Sequence, residues 1–257
     1  MAKNDFMAES AENFEQKCLC VLVLDVSGSM REIVDKSNMQ YTGETVFLDG
    51  NRYNIVTGGI SKMDLLNEGL RDFYNEICSD ETTSQRLELC IITFNDYVQV
   101  VQEPALPDNV TIPELDGDGE TALVDAVNVA IDKVEARKNW YKQTGQPYYR
   151  PWIILMTDGE PNAGQDIDSL ERRIKNDTAA KKYAFLPVGV GEANMHVLQQ
   201  IAGEGMNATK LKGMRFAQFF RWLSASMGTI TKAENGQSVN MSAGATGDGG
   251  WMDSFTI

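Results

Sequence analysis

The stretch VLVLDVSGSM, residues 21–30, runs four aliphatic residues into Asp25, Ser27 and Ser29, so that one carboxylate and two hydroxyls end an apolar segment. A nucleophilic serine would need a base, and a phosphate-binding loop would need more glycine and a lysine. Further along, GDGETAL offers Thr121, and WIILMTDGEPN carries Thr157 and Asp158. Brought together without a lysine or a usable histidine, the carboxylates of Asp25 and Asp158 and the hydroxyls of Ser27, Ser29 and Thr121 make a shell of hard oxygens. Such a shell suits Mg²⁺, which prefers octahedral oxygen coordination at ~2.0–2.1 Å and often retains water; Mn²⁺ fits nearly as well.

These residues need elements that bring them to one place. The runs CLCVLVL (18–24), LELCIITF (87–94), WIILMT (152–157) and AFLPVGV (184–190) are short and largely apolar, the pattern of strands buried on both faces of a parallel sheet. Between them, SKMDLLNEGLRDFYNEI (61–77) spaces Met63, Leu66, Leu70, Phe73 and Ile77 for a helix, with Ser61 as N-cap. Residues 121–138, 166–182 and 215–230 give three more helices. Strands alternating with helices predict an α/β fold, a doubly wound and mostly parallel sheet flanked by helices. YVQVVQ (97–102) follows its predecessor after only Asn-Asp, so it is expected as one antiparallel edge strand. In such a sheet, ligands sit beyond the carboxyl ends of the strands, where Asp25, Ser27, Ser29, Thr157 and Asp158 fall and the Thr121 loop is expected to join them.

Residues 1–17 read as an N-terminal lead, 18–232 as the domain, and 233–257, rich in Gly, Ser and Ala, as a flexible tail with an aromatic and acidic end. Within the domain, residues 31–60 form an insert beside the candidate site. TVFLDGNRYNIV, two extended runs about an Asp-Gly turn, predicts a hairpin there. The 257 residues are 42% apolar, enough for a substantial core, and the net charge of −14 argues against nucleic acid and anionic membrane as partners. The first residues lack the apolar core of a secretory signal and no run is long enough to span a bilayer, so a cytoplasmic location is expected. Cys18, Cys20, Cys78 and Cys90 lack zinc spacing and are expected as buried, reduced thiols.

Asp25, Ser27 and Ser29 resemble the D-x-S-x-S element of the von Willebrand factor A family, with Thr121 matching its loop threonine and Asp158 its distal aspartate. Together these form that family's metal-ion-dependent adhesion site. The resemblance implies a Rossmann-like fold and a non-enzymatic Mg²⁺-dependent protein-interaction module. In it the serines and threonine touch the metal, an aspartate acts through water, and a partner's Asp or Glu carboxylate completes the shell. YKQTGQPYYRPWIILMTDGEPN and FFRWLSASM are similar to the bacterial TerY-like branch, which implies tellurium resistance or stress response alongside kinase and phosphatase partner proteins. The insert at 31–60 departs from that pattern.

Two other readings compete. A haloacid-dehalogenase-like phosphohydrolase would use Asp25 as nucleophile, but it needs a second acid two residues later, where Ser27 stands. In a self-regulating arrangement, Glu44 or Asp49 of the insert, or Asp248 or Asp253 of the tail, would take the open metal position in place of a partner. His196 reads as a surface or half-buried helical residue, and Asp116, Asp118 and Glu120 as a solvated acidic loop. The oligomeric state is left open by the sequence.

Overall fold

The computed structural model describes residues 14–48, 51–203, 205–233, 245–246 and 250–252. In chain order the elements begin with β1 (Cys18–Asp25), a 3₁₀ turn (Gly28–Arg31), β2 (Ile33–Asp35), β3 (Gln40–Leu48), β4 (Asn51–Thr57), β5 (Ile60–Ser61), α1 (Lys62–Ser79) and α2 (Glu81–Arg86). They continue with β6 (Leu87–Phe94), β7 (Val98–Ala105), a second 3₁₀ turn (Pro107–Asn109), α3 (Leu123–Thr144), β8 (Trp152–Thr157) and α4 (Ile167–Ala179). The last are β9 (Ala184–Gly189), α5 (Met195–Gln200), β10 (Thr209–Lys210) and α6 (Phe216–Lys232).

Six strands form one sheet in the order β10-β9-β8-β1-β6-β7. All neighbours are parallel except β7, which runs antiparallel to β6 at the edge, as its short connection requires. Because β1 lies between β6 and β8, the chain leaves it toward one side and later returns on the other, and the crevice of a doubly wound sheet opens at its carboxyl end. Every residue of β1 is buried. Cys20, Leu22 and Leu24 face Leu66, Leu70 and Phe73 of α1 and Phe219 and Leu223 of α6, while Leu19, Val21 and Val23 face Val127 and Ile131 of α3 and Ile174 of α4. At ~1.5–3 kcal/mol for each large side chain fully buried, these layers hold the strand ends in place. Gly69 lets α6 approach α1, since a Cβ there would meet the Phe220 ring at 2.5 Å.

The insert closes on itself at its base, where β2 pairs with β5 and the Lys62 amide donates to the Glu32 carbonyl at 3.1 Å. Beyond that neck, β3 and β4 form a separate two-stranded ribbon, with Tyr41, Phe47 and Tyr53 exposed. The expected Asp-Gly turn at 49–50 lies outside the described residues.

Three findings differ from expectation. Cys78, expected to be buried, is exposed, because it falls at the outer end of α1; Cys18, Cys20 and Cys90 are buried. Burial pushes the thiols of Cys18 and Cys90 up to about 12, which leaves them unreactive. The short helix α2 was not anticipated, and is capped by Asp80, whose carboxylate accepts from the Thr83 amide at 2.8 Å. Part of the segment expected as a flexible tail is docked: Trp251 is buried against Phe219 and Trp222, and its carbonyl accepts from the Lys212 amide at 2.6 Å. Among the described residues, no helix is long and apolar enough to cross a membrane.

Candidate metal centre

Where β1 ends, Asp25 has both oxygens engaged. One accepts from the Ser27 amide at 2.8 Å and the other from the Thr157 hydroxyl at 2.5 Å. Burial raises the Asp25 carboxyl above its ordinary value of 3.8, opposed by the hydrogen bonds from Ser27 and Thr157 and assisted by the charge of Asp158. The Ser27 and Ser29 hydroxyls are 3.0 Å apart, and Ser29 donates to Asp158 at 2.6 Å. Asp25, Ser27, Thr121 and Asp158 are buried, whereas Ser29 faces solvent. The cluster is therefore lined on the protein side and open beside Ser29.

Thr121 reaches the cluster on a loop held from several directions. The Asp118 amide donates to the Val26 carbonyl at 2.8 Å, and the Gly28 amide donates to that of Gly119 at 3.0 Å. Asn162 brackets Thr121 itself: its side-chain oxygen accepts from the Thr121 amide at 2.7 Å, and its own amide donates to the Thr121 carbonyl at 3.0 Å. Gln165 adds a donor to the same carbonyl at 3.0 Å and accepts from the Val124 amide at 2.6 Å. On the far side of the loop, buried Asn67 of α1 exchanges two 2.8 Å hydrogen bonds with the backbone of Leu115. The Thr121 hydroxyl has no hydrogen-bond partner among the described residues.

Gly159 lies between Thr121 and Asp25. A Cβ there would lie 2.9 Å from the Thr121 hydroxyl and 3.6 Å from an Asp25 carboxylate oxygen. A glycine there spares the Thr121 hydroxyl a contact that any Cβ would impose. The donors are carboxylate and hydroxyl oxygens, the chemistry of a hard divalent cation. Among the described residues no three His, Cys, Asp or Glu side chains gather as a metal-holding group, so the candidate shell depends on its hydroxyls.

One expectation requires correction, since the cluster does contain a lysine. Lys62, buried at the start of α1, places its ammonium 2.7 Å from the second Asp158 oxygen and 2.6 Å from the Glu32 carboxylate. Burial opposes its charge, but Asp158 and Glu32 more than offset this and raise its pKa above 10.5. Asn162, Gln165 and Asn67 were also missed, because amides that tie loops to loops carry no spacing signal.

The remaining candidates lie apart or outside. Glu44 is exposed on β3, with no hydrogen bond or ion pair to the cluster among the described residues. Asp49, Asp248 and Asp253 lie outside the described residues. In the acidic loop, Asp116 pairs with Arg31 at 2.8 Å and Asp118 accepts from the Gly119 amide. His196 is exposed on α5.

The sequence model of the von Willebrand factor type A domain matches residues 85–220, more than half of the chain. The match includes Thr121 and Asp158 and begins after the insert, leaving Asp25, Ser27 and Ser29 outside it. Among solved structures, the chain is similar to the PilB minor pilin from Streptococcus sanguinis at 12% identity and a TM-score of 0.51, covering 84% of this chain and 62% of that one. It is also similar to the ArnB paralog VWA2 from Sulfolobus acidocaldarius at 15% identity and a TM-score of 0.50, covering 82% of this chain and 45% of that one. At these identities the likeness is one of fold, and the chain spans under two thirds of the length of either. No curated protein matches it.

Proposed function

The chain belongs to the von Willebrand factor type A domain family, and from that premise we propose that it is a non-enzymatic protein-interaction module whose binding depends on a divalent cation. The observation that carries this reading is the hydrogen-bonded cluster of Asp25, Ser27, Ser29 and Asp158, with Thr121 and Asp25 both beside Gly159. Ser27, Ser29 and Thr121 would supply direct oxygens, with Asp25 and Asp158 balancing charge behind them. A bound Mg²⁺ or Mn²⁺ would offer an electrophilic position to a partner's Asp or Glu carboxylate. The exposure of Ser29 supports approach from that side, since the other donors are buried.

The phosphohydrolase alternative is weaker. Asp25 is fully buried with both oxygens occupied, which gives a phosphorus centre no path to it, and Ser27 cannot act as the second acid. The finer placement, a cytoplasmic bacterial tellurium-resistance or stress-response pathway with kinase and phosphatase partners, rests on the similarity of residues 141–162 and 219–227 to the TerY-like branch.

Calorimetric titration of Mg²⁺ and Mn²⁺ into chelator-treated protein tests the core of the reading. Saturable binding by the wild type and none by Asp25→Ala is expected, while equal binding by both would defeat it. Capture of partners from a bacterial lysate with Mg²⁺ and again with EDTA tests the interaction. A partner released only by EDTA is expected; retention regardless of chelator would argue against a metal-dependent contact.

A further inference from the structure

Lys62 occupies a position that general physics disfavours twice over. It is the first residue of α1, where the unpaired amides and the helix dipole favour anions, and it is buried, where desolvation penalises an ammonium. Ser61 and Asp64 already form a complete capping box at this helix start, so the lysine contributes nothing to the cap. What holds it is Asp158 on one side and Glu32 on the other. Those two carboxylates differ: the Asp158 side chain is fully buried in the candidate site, whereas that of Glu32 is 65% exposed at the neck of the insert.

Resting on the metal reading above, we propose that Lys62 is a positioning residue that sets the affinity of the site for a divalent cation, and that it couples the neck of the insert to that affinity. The ammonium takes one oxygen of Asp158 while Ser29 takes the other, which fixes the carboxylate in the cluster and offsets part of its charge. A divalent cation entering the cluster must share Asp158 with an ammonium already there, and the two like charges repel. Glu32 relieves that repulsion by drawing part of the ammonium's field outward. Removing Lys62 and removing the Glu32 charge should therefore have opposite effects on metal binding, a pattern that a merely structural role for either residue does not produce.

The test is calorimetric titration of MnCl₂ into the full chain, with the fold of each variant checked by circular dichroism in EDTA. Lys62→Met is expected to tighten binding about tenfold, equivalent to about 1.4 kcal/mol. Glu32→Gln is expected to weaken it by about threefold, or about 0.65 kcal/mol. Lys62→Arg, which keeps the charge, should stay close to the wild type. Should Lys62→Met fail to fold, the exposed Glu32 site still carries the test through Glu32→Gln. If wild type, Lys62→Met and Glu32→Gln bind Mn²⁺ equally, the proposal falls and the metal reading stands. If none of them gives a binding heat that Asp25→Ala lacks, both fall together.

Discussion

Two buried ionic clusters sit at opposite ends of the same pair of strands. Near the amino end of β6, the Glu88 carboxylate receives two hydrogen bonds from Arg137, at 2.6 and 2.7 Å, and one from the Tyr141 hydroxyl at 2.5 Å. Near the carboxyl end of β1, Asp25 and Asp158 are met by hydroxyls, an amide and one lysine that is shared with Glu32. The first cluster is sealed: charges match one to one, the Arg137 guanidinium also lies 4.1 Å from the Trp140 ring, and Tyr148 stacks on Tyr141. The second is open at Ser29 and contains a hydroxyl, that of Thr121, with no protein partner among the described residues. Burial of charge is therefore common to both clusters; what sets the candidate site apart is its hydroxyl oxygens and its opening at Ser29.

The sealed cluster should yield the larger stability effect. Glu88→Ala strands the Arg137 guanidinium in the core, with an expected loss of ~3–5 kcal/mol in chemical denaturation. Divalent-cation binding, measured on the folded fraction, should be unchanged. A loss below about 1 kcal/mol would show that water reaches Arg137 and that the two ends are less different than their geometry indicates.

The open cluster should respond in the other sense. Since burial raises the Asp25 carboxyl, its ionised form costs stability at neutral pH, and Asp25→Asn is expected to leave the metal-free protein equally stable or up to ~1 kcal/mol more so. The sign follows from proton uptake: the folded chain holds this proton to higher pH than the unfolded one. The associated stabilisation is complete below 3.8 and is lost as pH rises through the raised value. Thermal melts of both proteins at stepped pH, without cation, should therefore converge on acidification. A marked destabilisation by Asp25→Asn at neutral pH would place Asp25 among the structural charges.

A surface pair sets the lower end of the comparison. Asp80 caps α2 and meets Lys232 at 2.5 Å, and the Lys232 hydrogen bond, aided by those from Thr83, holds its carboxyl down to about 2. Its side chain is 40% exposed, so solvent screens much of the ion pair and the cap remains the main contribution. Asp80→Ala is expected to cost ~1 kcal/mol at neutral pH. That stability is present above 3.8 and is lost as pH falls through about 2, so urea midpoints of variant and wild type should draw together below 3.8.

The parallel strands were legible because β1, β6, β8 and β9 have no solvent face, which makes an unbroken apolar run their signature. Asp25, Ser27, Ser29 and Asp158 were legible for a related reason: they follow directly on such runs, so their position in space is set by the strand. Thr121 required only that its loop return to the same end. Lys62 was not legible, since its partner Asp158 is distant in sequence and a lysine beginning a helix normally points to solvent. Glu88 left a trace, an acid inside LELCIITF, but its answering cation in α3 belongs to an ordinary helical pattern. Trp251 was hidden by the Gly- and Ser-rich composition around it, which reads as flexible although the indole itself is fully packed.

The closed neck of the insert has a consequence for how this surface can change. Because the chain leaves and returns through the β2–β5 pairing, with Glu32 and Lys62 on either side of it, the intervening ribbon can lengthen, shorten or be replaced at a closure cost that grows only logarithmically with its length. Such exchanges leave both neck residues, and hence the scaffold below, where they are. The ribbon is thus a graftable cassette in which recognition can diversify independently of the fold, and the most economical place to install a new binding loop beside the cluster.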